Sequence, residues 1–185
     1  MLAQSPKQLE EFLLSVETEP ASEFIDGYVI PKPMPQGEHS TLQSELVALL
    51  NRSLKPDKIA RAYPELRCTF GGRSIVPDIS VFKWQRIPRR SDGRVENLFE
   101  LAPDWLIEIL SPQQSHTRLV DKILHSFAYG TQMGWLIDPE TMVVLVFSPP
   151  DRVCLISSPT VNLPVPDFAS SIHLTGQVIF SWLWE

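Results

Sequence analysis

The sequence is poor in cysteine, glycine and positive charge, and it has no long apolar run. Only Cys68 and Cys154 are cysteines, and no Cys-X-X-Cys pair occurs. A disulfide framework and a cysteine zinc cluster are therefore excluded, and both thiols are expected to be reduced and mostly buried. Sixteen basic residues face 22 acidic ones, a net charge of −6. A protein that grips nucleic acid with its whole surface is basic, so any such contact here must come from a local patch or through metal ions. The longest apolar stretch, Met142 to Phe147, is strand-sized, well short of the ~18 residues of a membrane span. The N-terminal segment has no basic region ahead of an apolar run. No signal peptide and a cytoplasmic location are the expectations. Glycines number eight against 17 prolines, which gather at Pro31–Pro35, Pro149–Pro150 and Pro159–Pro166 and so punctuate loops.

What is present suits one globular domain spanning 1–185, with 43% hydrophobic and 21% charged residues, enough chain to bury a core without staples. Pro6 to Val16 is predicted to be a short helix with Ser5 as its cap. Asp26-Gly27 between two β-prone runs predicts a hairpin over Glu23–Ile30. Leu42, Leu46, Leu49 and Leu50 form an apolar stripe on a helix over Glu38–Leu54, with His39 and Gln43 beside it. Ile59–Phe70 and Ser74–Phe82 read as two strands around Gly71-Gly72. Trp84–Ala102, with Arg86, Arg89, Arg90 and Arg94, reads as a long exposed loop. A strand over Asp104–Leu110, a helix over Ser115–Tyr129, strands over Gly134–Pro139, Met142–Phe147 and Arg152–Ser157, and a short helix over Val178–Trp184 complete the order. The class is α/β in the mixed α+β sense, and Asp104 to Asp138 can form a parallel strand–helix–strand crossover.

Glu108 is the most informative residue. It lies inside Asp104-Trp105-Leu106-Ile107-Glu108-Ile109-Leu110, sharing a face with Leu106 and Leu110. A carboxylate there is costly unless it is paired, hydrogen-bonded or on a metal. The structural alternative is a strand-end acid reaching solvent. Asp78 is the second acid in an apolar strand. Pro77 before it marks an edge, bulge or strand start, and the alternative is an aspartate closing its own turn. Two such acids supply the hard oxygen ligands that magnesium or manganese takes. Lys122 falls beside the apolar stripe of the following helix, either to offset charge at a reacting phosphate or as a solvated surface lysine.

Taken in order, Pro77-Asp78, Glu108-Ile109-Leu110-Ser111-Pro112, Asp121-Lys122 with Tyr129-Gly130, and Trp135-Leu136-Ile137-Asp138-Pro139 resemble the signature of a restriction-endonuclease-like domain family of unknown function within the PD-(D/E)XK nuclease superfamily. Glu23-Phe24-Ile25-Asp26-Gly27 and the helix start at His39 fit the same pattern, so the resemblance runs from Glu23 to Trp182. It implies a restriction-endonuclease-like core, a mixed central β-sheet flanked by helices with an N-terminal helix and β-hairpin. It also implies a metal-dependent endodeoxyribonuclease, with Asp78 and Glu108 holding Mg2+ or Mn2+. The lysine of the general pattern, two residues after the second acid, is Leu110 here, and Lys122 is the matching position. Glu23 and His39 are additional candidates. DNA is the implied partner, through metal ions and the Arg86–Arg94 loop, although a plain solvated loop is the alternative for that segment. No membrane partner is implied. A homodimer is expected, because two-fold pairs suit enzymes that cut both strands. Two further readings stay open: a catalytically idle nuclease-fold module for binding or assembly, and a metal-dependent hydrolase of another phosphate ester.

Overall fold

The computed structural model describes residues 8–112, 114–150 and 152–184. Helix α1 is Leu9–Leu13; the expected cap at Ser5 and the first turn at Pro6 lie outside the described residues. Strands β1 (Ser22–Ile25) and β2 (Tyr28–Pro31) form the first hairpin. Its turn places Asp26 and Gly27 both at positive φ, as a tight two-residue β-turn requires. Helix α2, Gly37–Leu54, follows. Leu42, Leu46, Leu50 and Leu54, four residues apart, are all buried.

The two strands expected around Gly71-Gly72 are in fact four. The chain forms β3 (Ala60–Pro64), β4 (Cys68–Phe70), β5 (Arg73–Ile75) and β6 (Ile79–Lys83). The β4–β5 hairpin joins one sheet and the β3–β6 pair joins another. The break on the return limb falls at Val76-Pro77-Asp78, where proline has no N–H to continue a ladder. The small sheet runs β2-β1-β5-β4, and the large one runs β10-β9-β8-β7-β6-β3. In the large sheet β7 (Trp105–Ile109) and β8 (Met133–Asp138) are parallel and linked through α3 (His116–Phe127). β9 (Val143–Ser148) and β10 (Arg152–Ile156) continue the sheet antiparallel to its edge.

Alternation along β7 divides the core. Trp105, Ile107 and Ile109 pack with the α2 leucines on one face, while Leu106 and Leu110 pack with Leu119 and Ile123 of α3 on the other. Glu108 therefore faces α3. The helix lies close on the sheet at Gly134, where a Cβ would collide with the Ile123 side chain. Helix α4 (Gly176–Ser181) and a 3-10 turn over Trp182–Trp184 close the described chain. Phe180, Trp182 and Leu183 of this tail pack on the α2 side of the sheet, leaving Trp184 exposed.

Two smaller expectations are corrected. Cys68 is buried, but Cys154 is exposed because it lies on the edge strand β10. The Trp84–Ala102 segment is irregular, yet it is pinned down by Ile87, Phe99 and Ala102, all buried. Its arginines are engaged within the chain. Arg86 pairs with Asp104 at 2.8 Å, Arg90 with Glu96 at 3.6 Å and Arg94 with Asp92 at 2.6 Å, while Arg89 lies 5.1 Å over the Trp84 ring. Among the described residues no helix is long and apolar enough to cross a membrane.

Candidate active site

The break between β5 and β6 exposes backbone groups that a continuous strand would have paired, and buried backbone groups need partners. Charged side chains provide them. The Val76 amide donates to Glu23 Oε1 at 2.8 Å, and the Val76 carbonyl accepts from Lys32 Nζ at 2.8 Å. The Asp78 carbonyl accepts from Gln43 Nε2 at 2.8 Å and from the Glu65 amide at 3.1 Å. This lattice turns the Asp78 side chain inward. Its Oδ1 accepts from Lys32 Nζ at 2.8 Å, and its Oδ2 accepts from the Ile109 amide at 2.8 Å.

That last bond ties Asp78 to the residue following Glu108. Glu108 itself is fully buried, and Lys122 Nζ stands 2.7 Å from its Oε1. This contact is a close ion pair, and Glu108 Oε2 has no hydrogen-bond partner among the described residues. Lys122 also donates to Glu23 Oε1 at 2.9 Å. His39, in the first turn of α2, completes the group. Its Nδ1 is 3.0 Å from Ser111 Oγ, and its Nε2 is 3.5 Å from Asp78 Oδ1 with no hydrogen-bond partner.

All five candidates read from the sequence therefore converge: Asp78 from the break just before β6, and so not from inside a strand as expected, Glu108 from the neighbouring β7, Lys122 from α3, Glu23 from β1 and His39 from α2. Lys122 is not a solvated helix lysine; it is 2% exposed. Sequence reading gave no role to Lys32 or Ser111. Lys32 lies in Pro31-Lys32-Pro33, and the only signal there was a lysine held between two prolines that otherwise read as strand terminators.

The electrostatics pull the two acids apart. Burial raises Asp78, but the Lys32 ammonium outweighs it, helped by His39 and Lys122, and the carboxyl is held well below its ordinary range. Burial dominates at Glu108, and the Asp78 charge adds to it against the pull of Lys122, so this carboxyl is pushed up to about 8. Burial lowers both ammoniums, yet Glu108, Glu23 and Asp78 hold Lys122 above its ordinary value, and Asp78 does the same for Lys32. Divergent carboxyl pairs of this kind gather at functional sites.

A groove of about 590 Å³ leads to the cluster, lined by Glu23, Ile30, Lys32, Pro112, Arg118 and Lys122 among others. The Arg86–Arg94 loop is anchored at Asp104, four residues before Glu108 and so ~13 Å along the strand. Besides the buried Lys32 and Lys122, the groove carries Arg118, exposed near the start of α3.

The donor set fits a hard divalent cation in part. Glu108 offers a buried Oε2 with no partner, beside an Oε1 that faces Lys122 at 2.7 Å, and a cation would satisfy the free oxygen. Asp78 offers a carboxylate kept ionised, although both of its oxygens already accept. Among the described residues no group of three or more His, Cys, Asp and Glu has the spacing to hold a metal ion unaided, so water or phosphate oxygens would complete the shell, as magnesium sites commonly require.

A family model described as "Uma2: Putative restriction endonuclease" matches residues 8–175. The chain is also similar to a crystal structure from Anabaena variabilis ATCC 29413 titled "a putative nuclease belonging to DUF820". The two share 56% sequence identity with a TM-score of 0.95, and the match covers 96% of this chain and 99% of that one. No curated protein matches the chain.

Proposed function

The chain belongs to the Uma2 family of restriction-endonuclease-like proteins, and from that premise we propose that it is a metal-dependent endodeoxyribonuclease hydrolysing DNA phosphodiester bonds. The observation that carries the reading is Glu108: a fully buried carboxyl whose Oε2 has no partner, whose Oε1 lies 2.7 Å from a buried lysine, and which is one residue from the amide that holds Asp78. Asp78 and Glu108 would hold Mg2+ or Mn2+. When bound, the ion lowers the pKa of a water and offsets charge on a phosphoryl oxygen.

The chain's own residues supply the rest. Glu23 holds the Lys122 ammonium at the end of the groove, where it faces the anionic oxygens of an entering phosphate. Charge placed there in advance costs no reorganisation when negative charge develops during attack. Ser111 holds the His39 ring so that Nε2 points at Asp78, where it assists Lys32 in keeping that carboxylate ionised. Arg118 at the groove's rim supplies a positioning contact for the backbone of the nucleic acid.

The test is cleavage of supercoiled and linear DNA with magnesium, with manganese and with chelator. Metal-dependent cleavage by wild type and its loss in Glu108→Ala support the reading; equal cleavage by both proteins contradicts it. A second reading, an idle nuclease-fold module, is favoured by one feature: the ion pairs Lys32–Asp78 and Lys122–Glu23 close the site on itself. Cation binding without cleavage of any DNA would select it.

A further inference from the structure

Asp78 has two oxygens and only one is negotiable. Oδ2 is fixed by the Ile109 amide, part of the central strand β7. Oδ1 faces the Lys32 ammonium at 2.8 Å, and any cation shared between Asp78 and Glu108 has to compete for it. The two lysines of the site differ in their freedom to yield. Lys122 is held by Glu23 and Glu108 from within α3. Lys32 is on the linker between β2 and α2, is 8% exposed, and lines the groove. Its ammonium also lies 3.6 Å from the carboxylate of Glu65, a surface side chain. The lysine therefore has an acceptor outside the site to move to.

We propose that Lys32 is a cation gate: its ammonium occupies the Asp78 oxygen in the metal-free protein, and a divalent ion enters by displacing that ammonium toward Glu65 and the groove. This rests on the reading of Asp78 and Glu108 as a metal site. The charge balance favours the exchange. A dication arriving as the Lys32 charge moves outward raises the local positive charge by only one, where an added dication would raise it by two. Lys32 is thus a positioning residue that sets metal affinity, and it guards Asp78 against an unpaired buried charge until the metal arrives.

The experiment is calorimetric titration of wild type, Lys32→Met and Lys32→Gln with manganese alone, alongside thermal unfolding of each in chelator. Lys32→Met removes the competing charge, and Lys32→Gln keeps a neutral donor for the Val76 carbonyl and Asp78, so at least one variant is expected to fold. A gate predicts opposite movements: lower stability in chelator and manganese affinity about tenfold tighter, as removal of a nearby like charge strengthens cation binding. A purely structural lysine lowers stability and leaves affinity unchanged or weaker, which overturns the proposal while wild-type binding still upholds the metal site. Absence of manganese binding in wild type and both variants overturns the gate and the metal site together.

Discussion

Asp78 Oδ2 accepts a hydrogen bond from the backbone amide of Ile109 at 2.8 Å. One bond thereby sets the first acid of the site against the strand that carries the second, Glu108, and fixes their separation independently of any bound ion. It also means that Asp78 has a structural duty. Replacing it with alanine leaves the Ile109 amide unpaired and Lys32 without its carboxylate. Breaking a buried ion pair from one side costs roughly 3–5 kcal/mol. Asp78→Ala is expected to lose stability on that scale in chelator, and Asp78→Asn clearly less because it keeps an acceptor for the amide. Urea unfolding of the two variants checks the difference.

The opposed carboxyl shifts give a pH dependence of known sign. Glu108 titrates near 8 in the folded protein, against an ordinary 4.5. Between those values the folded state binds more protons than the unfolded state, so stability falls as pH rises through the window. The contribution is complete below about 4.5 and gone above about 8. Asp78 acts in the opposite sense. Its carboxyl is lowered from 3.8, so its contribution is present above that value and is lost as pH falls below it. Thermal unfolding in chelator is expected to show stability declining from pH 5 to 9, and Glu108→Gln is expected to flatten that slope.

On the proposed reading, Lys122 is separable from metal binding. Its ammonium stands beside Glu108 and Glu23 and faces the groove, so its loss removes a preplaced charge from the phosphate's side. Lys122→Met is expected to reduce DNA cleavage by ~10²–10³-fold, the scale for removing one such stabilising group, while manganese binding persists. Cleavage kinetics and calorimetry on the same preparation check both halves.

The two cysteines should report the fold chemically. Burial pushes the Cys68 thiol up to about 12, whereas Cys154 is exposed on β10. Thiolate is the reactive species. Iodoacetamide at neutral pH is expected to label Cys154 alone in the native protein and both thiols in denaturant, as read by mass spectrometry.

Much of this was legible from residue pattern. Leu42, Leu46 and Leu50 announced α2, and the alternation of Leu106, Glu108 and Leu110 put the three on one face, which the structure turns toward α3. The split of Ile59–Phe70 and Ser74–Phe82 between two sheets was not legible, because each half remains β-prone on its own and only Pro77 hinted at the break. Lys32 escaped for a related reason. Its partners Val76 and Asp78 are 44 and 46 residues away, and a lysine in a proline-rich linker carries no local sign of burial. The arginines of 86–94 left two readings open, because a basic cluster in sequence does not show that Arg86 pairs with Asp104 or that Arg89 lies over Trp84.

The central claim is that Asp78 and Glu108 form one cation site. Manganese titration of wild type, Asp78→Ala and Glu108→Ala, each verified as folded by circular dichroism, tests it most directly. Expected is saturable binding by wild type that disappears in both variants. Binding that survives in either variant at wild-type affinity, or wild-type protein that binds no manganese even with a DNA oligonucleotide present, would contradict it.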